Sequence, residues 1–89
     1  MAFSSIEYKF LMIHSIELRC PTFETKAEAL AYDRRAKKLL ENRRGIRRIG
    51  FMQYRLQYRP KGFTPFDKVF RDIDQAIEIQ AKLKSMYQS

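Results

Sequence analysis

Met52-Gln53-Tyr54-Arg55-Leu56-Gln57-Tyr58-Arg59, closed by Pro60-Lys61-Gly62, is the stretch on which the fold turns. Met52, Tyr54, Leu56 and Tyr58 alternate with Gln53, Arg55, Gln57 and Arg59, a period of two that makes a strand with one face in a core. Pro60-Lys61-Gly62 breaks this strand. Phe66 to Phe70 then returns as a shorter strand in which Lys68 interrupts the alternation. Asp72 with Gln75 matches a capping box, and Ile73, Ala76, Ile77, Leu83 and Tyr87 form the apolar stripe of a helix ending near Tyr87. Its acids, Asp72, Asp74 and Glu78, precede its bases, Lys82 and Lys84, the order favoured by the helix dipole.

The first half of the chain follows a similar plan. Ile6, Tyr8, Phe10 and Met12 alternate with Glu7 and Lys9, and Ile16, Leu18 and Cys20 alternate with Glu17 and Arg19. These two runs, joined at His14-Ser15 and stopped by Pro21, read as a hairpin over one side of a core, with Cys20 pointing inward. Thr25-Lys26-Ala27-Glu28 fits a capping box that opens a helix from about Lys26 to Arg43. Ala29, Tyr32, Ala36, Leu39 and Leu40 share its apolar face. Gly45 follows where a left-handed cap is wanted.

Strand, strand, helix therefore occurs twice. An offset of 47 residues aligns Phe23 with Phe70, Ala29 with Ala76, Leu30 with Ile77 and Lys37 with Lys84. The expected architecture is one α+β domain over residues 1–89, in ββαββα order, with two halves of about 3–45 and 46–89 as a pseudo-repeat. Its four-stranded antiparallel sheet carries both helices on one face and leaves the other open. An open sheet edge in so small a domain would also admit a homodimer.

Charge is segregated along this plan. Between Arg34 and Lys61 lie eleven basic residues and one acid, Glu41, whereas the rest of the chain holds seven basic and nine acidic side chains. Such segregation points to a face that meets a polyanion. The candidate nucleic-acid contacts are Arg34, Arg35, Lys37 and Lys38 on the helix; Arg43, Arg44, Arg47 and Arg48 around Gly45; and Arg55, Arg59 and Lys61 on the strand and its turn. Eight of the eleven are arginines, whose planar fork grips phosphate with two hydrogen bonds. Tyr54 and Tyr58 belong to the core face. Phe51 and Phe63 are the candidate exposed aromatics, although Phe63 is expected to tuck under its own loop.

Other chemistry finds little material. With one cysteine, Cys20, and one histidine, His14, neither an intrachain disulfide nor a zinc site of the usual ligands can form. There is no Gly-rich phosphate loop, paired metal-binding carboxylates or Ser-His-Asp set, and Asp72 and Asp74 are accounted for by the helix start. No cofactor or metal is expected. The N-terminal Met1-Ala2-Phe3-Ser4-Ser5 lacks signal-peptide regions, and no apolar run reaches the roughly 20 residues that span a bilayer. The expectation is a soluble, cytoplasmic protein with no membrane partner.

The second half, from Tyr54-Arg55-Leu56-Gln57-Tyr58-Arg59 through Pro60-Lys61-Gly62 to the helix opened by Phe70, resembles the small sheet-plus-helix DNA-binding domains at the N-terminal end of phage integrases. The likeness covers about 40 residues and carries no specific motif. In size and charge the chain is also similar to early proteins of bacteriophages, many of which bind and disable a host enzyme.

The first functional expectation is a non-enzymatic nucleic-acid-binding protein. RNA is slightly preferred over DNA, because the sequence contains no helix-turn-helix or zinc finger to read a major groove. The alternative is a phage or mobile-element inhibitor or antitoxin-like protein that covers an acidic or RNA-binding surface of an enzyme or toxin, with RNA able to bridge the two. A third is a small metal-free ribonuclease with His14 as acid or base.

Overall fold

In the computed structural model the described residues run from 11 to 88. Their order is α1 (Lys26–Glu41), β1 (Ile46–Gly50), β2 (Gln53–Tyr58), β3 (Phe66–Phe70) and α2 (Ile73–Gln88). A further helical turn occupies residues 11–14. The strands form one antiparallel sheet in the order β1-β2-β3. Tyr54 pairs with Phe70, Leu56 with Lys68 and Tyr58 with Phe66 on one side of β2, while Leu56 pairs with Ile46 and Tyr54 with Arg48 on the other.

The alternation read from β2 is the axis of the core. Tyr54 and Leu56 are fully buried, as are Phe66 and Phe70 of β3 and Ile73, Ala76 and Leu83 of α2. Ile46 of β1, Ala36 of α1, Ile79 of α2 and Ile13 also belong to this layer. Both helices lie on this side of the sheet, and the opposite face stays open. Thr25 caps α1, its hydroxyl accepting from the Glu28 N–H at 3.2 Å, and Asp72 caps α2, its Oδ1 accepting from the N–H groups of Asp74 (2.9 Å) and Gln75 (3.2 Å).

The expected four-stranded sheet is corrected in detail. The proposed strand from Ile6 to Met12 falls mostly outside the described residues, and its end, Leu11 and Met12, is helical. Residues 16–20 form no strand either. The buried side chain of Gln75 takes the place of a ladder partner, accepting from the Arg19 N–H and donating to the Glu17 carbonyl, each at 2.9 Å. Arg19 is tied further to the cap residue Asp72 and to Glu78 of α2. The segment thus lies along the start of α2, and Cys20 is exposed instead of sitting in the core.

The third strand of the sheet is one that the alternation did not mark. Ile46-Arg47-Arg48-Ile49-Gly50 has its apolar residues three apart, yet it forms β1, with Arg48 on the inward face. The expected two helices are joined by the additional turn at residues 11–14, and α1 ends at Glu41, two residues before Arg43. Leu39, placed on the apolar face of α1, is exposed, and Asp33 is buried there. Gln75 does not close a capping box on Asp72, since its amide serves residues 17–19.

Candidate nucleic-acid interface

The candidate interface is built on the end of α1, the loop that follows it, and the open face of β1 and β2. Strand alternation puts Arg47 of β1 and Arg55 of β2 directly opposite each other on that face, beside Val69 of β3. Like charges opposed across a ladder repel. Arg55 is relieved by Asp67, which accepts from Nε at 2.9 Å and from Nη2 at 2.6 Å, whereas Arg47 has no acidic partner among the described residues. The Arg55 guanidinium, with a hydrogen bond from Gln57, holds the Asp67 carboxyl down to about 2.

Beside this row a cleft of about 490 Å³ opens between the end of α1 and the sheet. It is lined by Lys37, Arg43, Arg44, Arg47, Arg48 and Arg55, with Glu41 as its one acid. The loop that carries Arg43 and Arg44 is held from within. Gln80 of α2, only 2% exposed, accepts from Arg43 Nη1 at 3.0 Å and donates to the Arg44 carbonyl at 2.6 Å. Gly45 follows with φ +93°, in the left-handed region, and its carbonyl accepts from the Gln57 N–H at 2.9 Å as the first rung between β1 and β2. Asn42 caps the helix, so Gly45 serves the turn into β1 instead of the helix end.

The hairpin that presents β1 and β2 is anchored by Asp33, which is 4% exposed. Arg48 donates through Nε (3.1 and 3.0 Å) and Nη2 (2.8 Å), Tyr54 through its hydroxyl (2.9 Å), and Met52 through its backbone N–H (3.2 Å). Burial alone would raise the Asp33 carboxyl, but the bonds from Arg48, Tyr54 and Met52 outweigh it and hold it below the ordinary carboxylate value. The same burial, together with the Asp33 charge, pushes the Tyr54 phenol well above its usual value. Met52 sits at φ +53°, an uncommon conformation for a residue with a side chain. Its N–H bond to Asp33 and its buried side chain hold it there.

The eleven candidate cations separate into two groups. Arg35 pairs with Asp74 at 3.3 Å and lies over the Tyr32 ring, Arg48 pairs with Asp33, and Arg55 pairs with Asp67. Arg34, Lys37, Lys38, Arg43, Arg44, Arg47, Arg59 and Lys61 have no ion pair among the described residues. Arg48 is therefore chiefly a structural anchor whose edge reaches the cleft. Arg34, Arg35 and Lys38 lie around a separate shallow depression on the outer side of α1. Arg59 stands past the end of β2, close enough for its charge to lower the Asp67 carboxyl further.

Several features of the surface were not legible as site residues. Asp67 is one, and the exposed Ile49 and Val69 beside the arginines are others. Phe51, at the tip of the β1–β2 hairpin, is exposed as expected. Phe63 is exposed too, but packs its ring 4.8 Å from that of Tyr87. His14 lies outside the cleft, its ring 5.0 Å from Phe66 and its carbonyl accepting from Lys68 Nζ. Among the described residues no group of three or more His, Cys, Asp or Glu is disposed to hold a metal ion, and no helix is long and apolar enough to cross a membrane. Comparison with protein families, with curated proteins and with solved structures finds no match to this chain.

Proposed function

We propose that this is a non-enzymatic nucleic-acid-binding protein that receives duplex DNA on the open face of its sheet, with the cleft beside β1 holding phosphates. The observation that carries the reading is the convergence of Arg47 with Lys37, Arg43 and Arg44 on one cleft, with Glu41 as its only acid among the described residues. Packing that many like charges costs stability in the free protein and is relieved by a polyanion.

The choice of duplex DNA follows from shape. Three strands about 4.8 Å apart make a face about 10 Å across, which suits a B-form major groove about 12 Å wide. Gln53, Arg55 and Gln57 on that face are residue types that read base edges, and Ile49 and Val69 offer apolar contact to a thymine methyl. The deep, narrow major groove of A-form RNA excludes such a face. The sequence offers no reading helix, which favours RNA, but a sheet is also an established way to read DNA.

Fluorescence-anisotropy titrations of labelled duplex DNA, single-stranded DNA and an RNA hairpin test the proposal. With about four phosphate contacts, one for each cleft cation without an ion pair among the described residues, log affinity for duplex DNA should fall against log salt with a slope of about −3.5. Lys37→Ala and Arg44→Ala should each weaken binding to every duplex sequence alike and reduce the slope by about 1. Absence of binding at about 50 mM salt, or an affinity indifferent to salt, would refute it. Tighter binding of the RNA hairpin would overturn the choice of DNA.

A further inference from the structure

Among the paired arginines, Arg55 is the one whose bridge lies on the open sheet face. Arg48 is held on the core side of the sheet by the buried Asp33, and Arg35 is bound to α2. Both partners of the Arg55–Asp67 pair are exposed, with side chains 45% and 41% accessible, so the pair adds little to stability. An acid beside an arginine that served only to grip phosphate would also work against it, because the carboxylate repels the phosphate. The pair is nevertheless closely ordered. Asp67 stands opposite Gln57 and diagonal to Arg55, takes the Nε–Nη2 edge of the guanidinium with both oxygens, and receives a third hydrogen bond from Gln57 Nε2 at 3.1 Å.

This geometry leaves a defined remainder. Arginine carries five N–H donors, and Asp67 engages one on Nε and one on Nη2. The other edge, formed by Nη1 and the second N–H of Nη2, is a two-pronged donor that matches the O6 and N7 acceptors of guanine. Fixing the first edge restricts the rotation of a long side chain, so the second edge is presented in one orientation instead of many.

We infer that Asp67 is a positioning residue that sets base preference, by holding Arg55 so that its outer edge is offered to a guanine in the major groove; the inference rests on the duplex-DNA reading above. Arg55 touches the base and Asp67 acts through it. Phosphate attraction is supplied by Lys37, Arg44 and Arg47, so affinity and specificity reside in different residues of one surface.

The test is selection from a duplex DNA library with a randomised central segment, using wild type, Asp67→Asn, Asp67→Ala and Arg55→Lys. It is followed by titration of the selected duplex, of the same duplex with guanine replaced by adenine, and of random duplex. Wild type should select guanine at one position with a preference of about tenfold or more. Both Asp67 variants should lose most of that preference at that position alone, while binding random duplex as tightly as wild type or more tightly, since a negative charge is gone. Arg55→Lys should lose the preference as well, because an ammonium has no fork. Unchanged urea midpoints for Asp67→Asn and Asp67→Ala would show that the fold is intact.

The inference is overturned if wild type shows no guanine preference, if Asp67→Asn retains it, or if the variants lose discrimination evenly at all positions together with affinity for random duplex. Firm binding of random duplex by wild type in any of these cases leaves the DNA-binding reading standing. Absence of duplex binding at low salt removes both.

Discussion

Asp33→Ala removes an acceptor on which five hydrogen bonds converge. Two of the donors, the Tyr54 hydroxyl and the Met52 N–H, are buried and neutral, and neither has another acceptor among the described residues. Leaving a buried donor unsatisfied costs about 1–3 kcal/mol, so the pair costs about 2–6 kcal/mol, with about 3 as the working value. Arg48 keeps 29% side-chain exposure and regains water, which leaves it out of this sum. The total stability of a domain of this size is about 5–10 kcal/mol, so the loss is a large fraction of it.

Urea denaturation followed by circular dichroism measures the effect. At a slope of about 1 kcal/mol per molar the midpoint should fall by about 3 M, and by calorimetry the Tm should drop by about 12–24 °C. Tyr54→Phe alone should cost only about 1 kcal/mol, since it deletes the donor instead of orphaning it. In the Asp33→Ala background the same change should cost nothing or restore stability, a coupling that separates this network from simple loss of packing. A loss below about 1 kcal/mol for Asp33→Ala, or additivity of the two changes, would refute the reasoning.

Two further outcomes follow from the same geometry. A Cβ at Gly45 would come within 2.6 Å of Gln80 Nε2, which holds the Arg44 carbonyl, whereas one at Gly62 meets nothing within 4 Å; both glycines have positive φ. Gly62→Ala should therefore cost about 1 kcal/mol of backbone strain, and Gly45→Ala clearly more, with weaker duplex binding as the Arg43–Arg44 loop shifts; equal urea midpoints would contradict this. The buried Asp33 carboxyl titrates lower in the folded protein than when unfolded, so its contribution is full above the ordinary aspartate value of about 3.9 and is lost as pH falls through the folded value, whereas the exposed Asp67, although held near 2, adds little. The urea midpoint should hence fall below about pH 4, with a shallower acid limb in Asp33→Asn; a midpoint that rises on acidification would contradict the assignment.

What could be read locally and what could not divides along physical lines. The alternation of β2, the return strand Phe66–Phe70, the caps Thr25 and Asp72 and the stripe of α2 all appear in the structure, because each depends on residues within a few positions of one another. The segment 16–20 has the same alternation as β2 and is not a strand, because its backbone is met by the Gln75 side chain from 56 and 58 positions away. β1 shows the converse. Its inward Arg48 spoils any apolar pattern, and it is a strand because Asp33 neutralises that arginine from the facing helix.

The candidate site divides in the same way. The concentration of charge between Arg34 and Lys61, and the division of β2 into one apolar and one polar face, can be read without any structure, since both are properties of order along the chain. Which of those cations lack an ion pair among the described residues is set by folding. Asp33, Asp67 and Asp74 lie at or beyond the borders of the basic segment, and they reach Arg48, Arg55 and Arg35 only through the packing of α1 on β1, the pairing of β2 with β3 and the approach of the two helices. Net charge is additive along a sequence, but its neutralisation depends on distances of about 3 Å that folding alone sets.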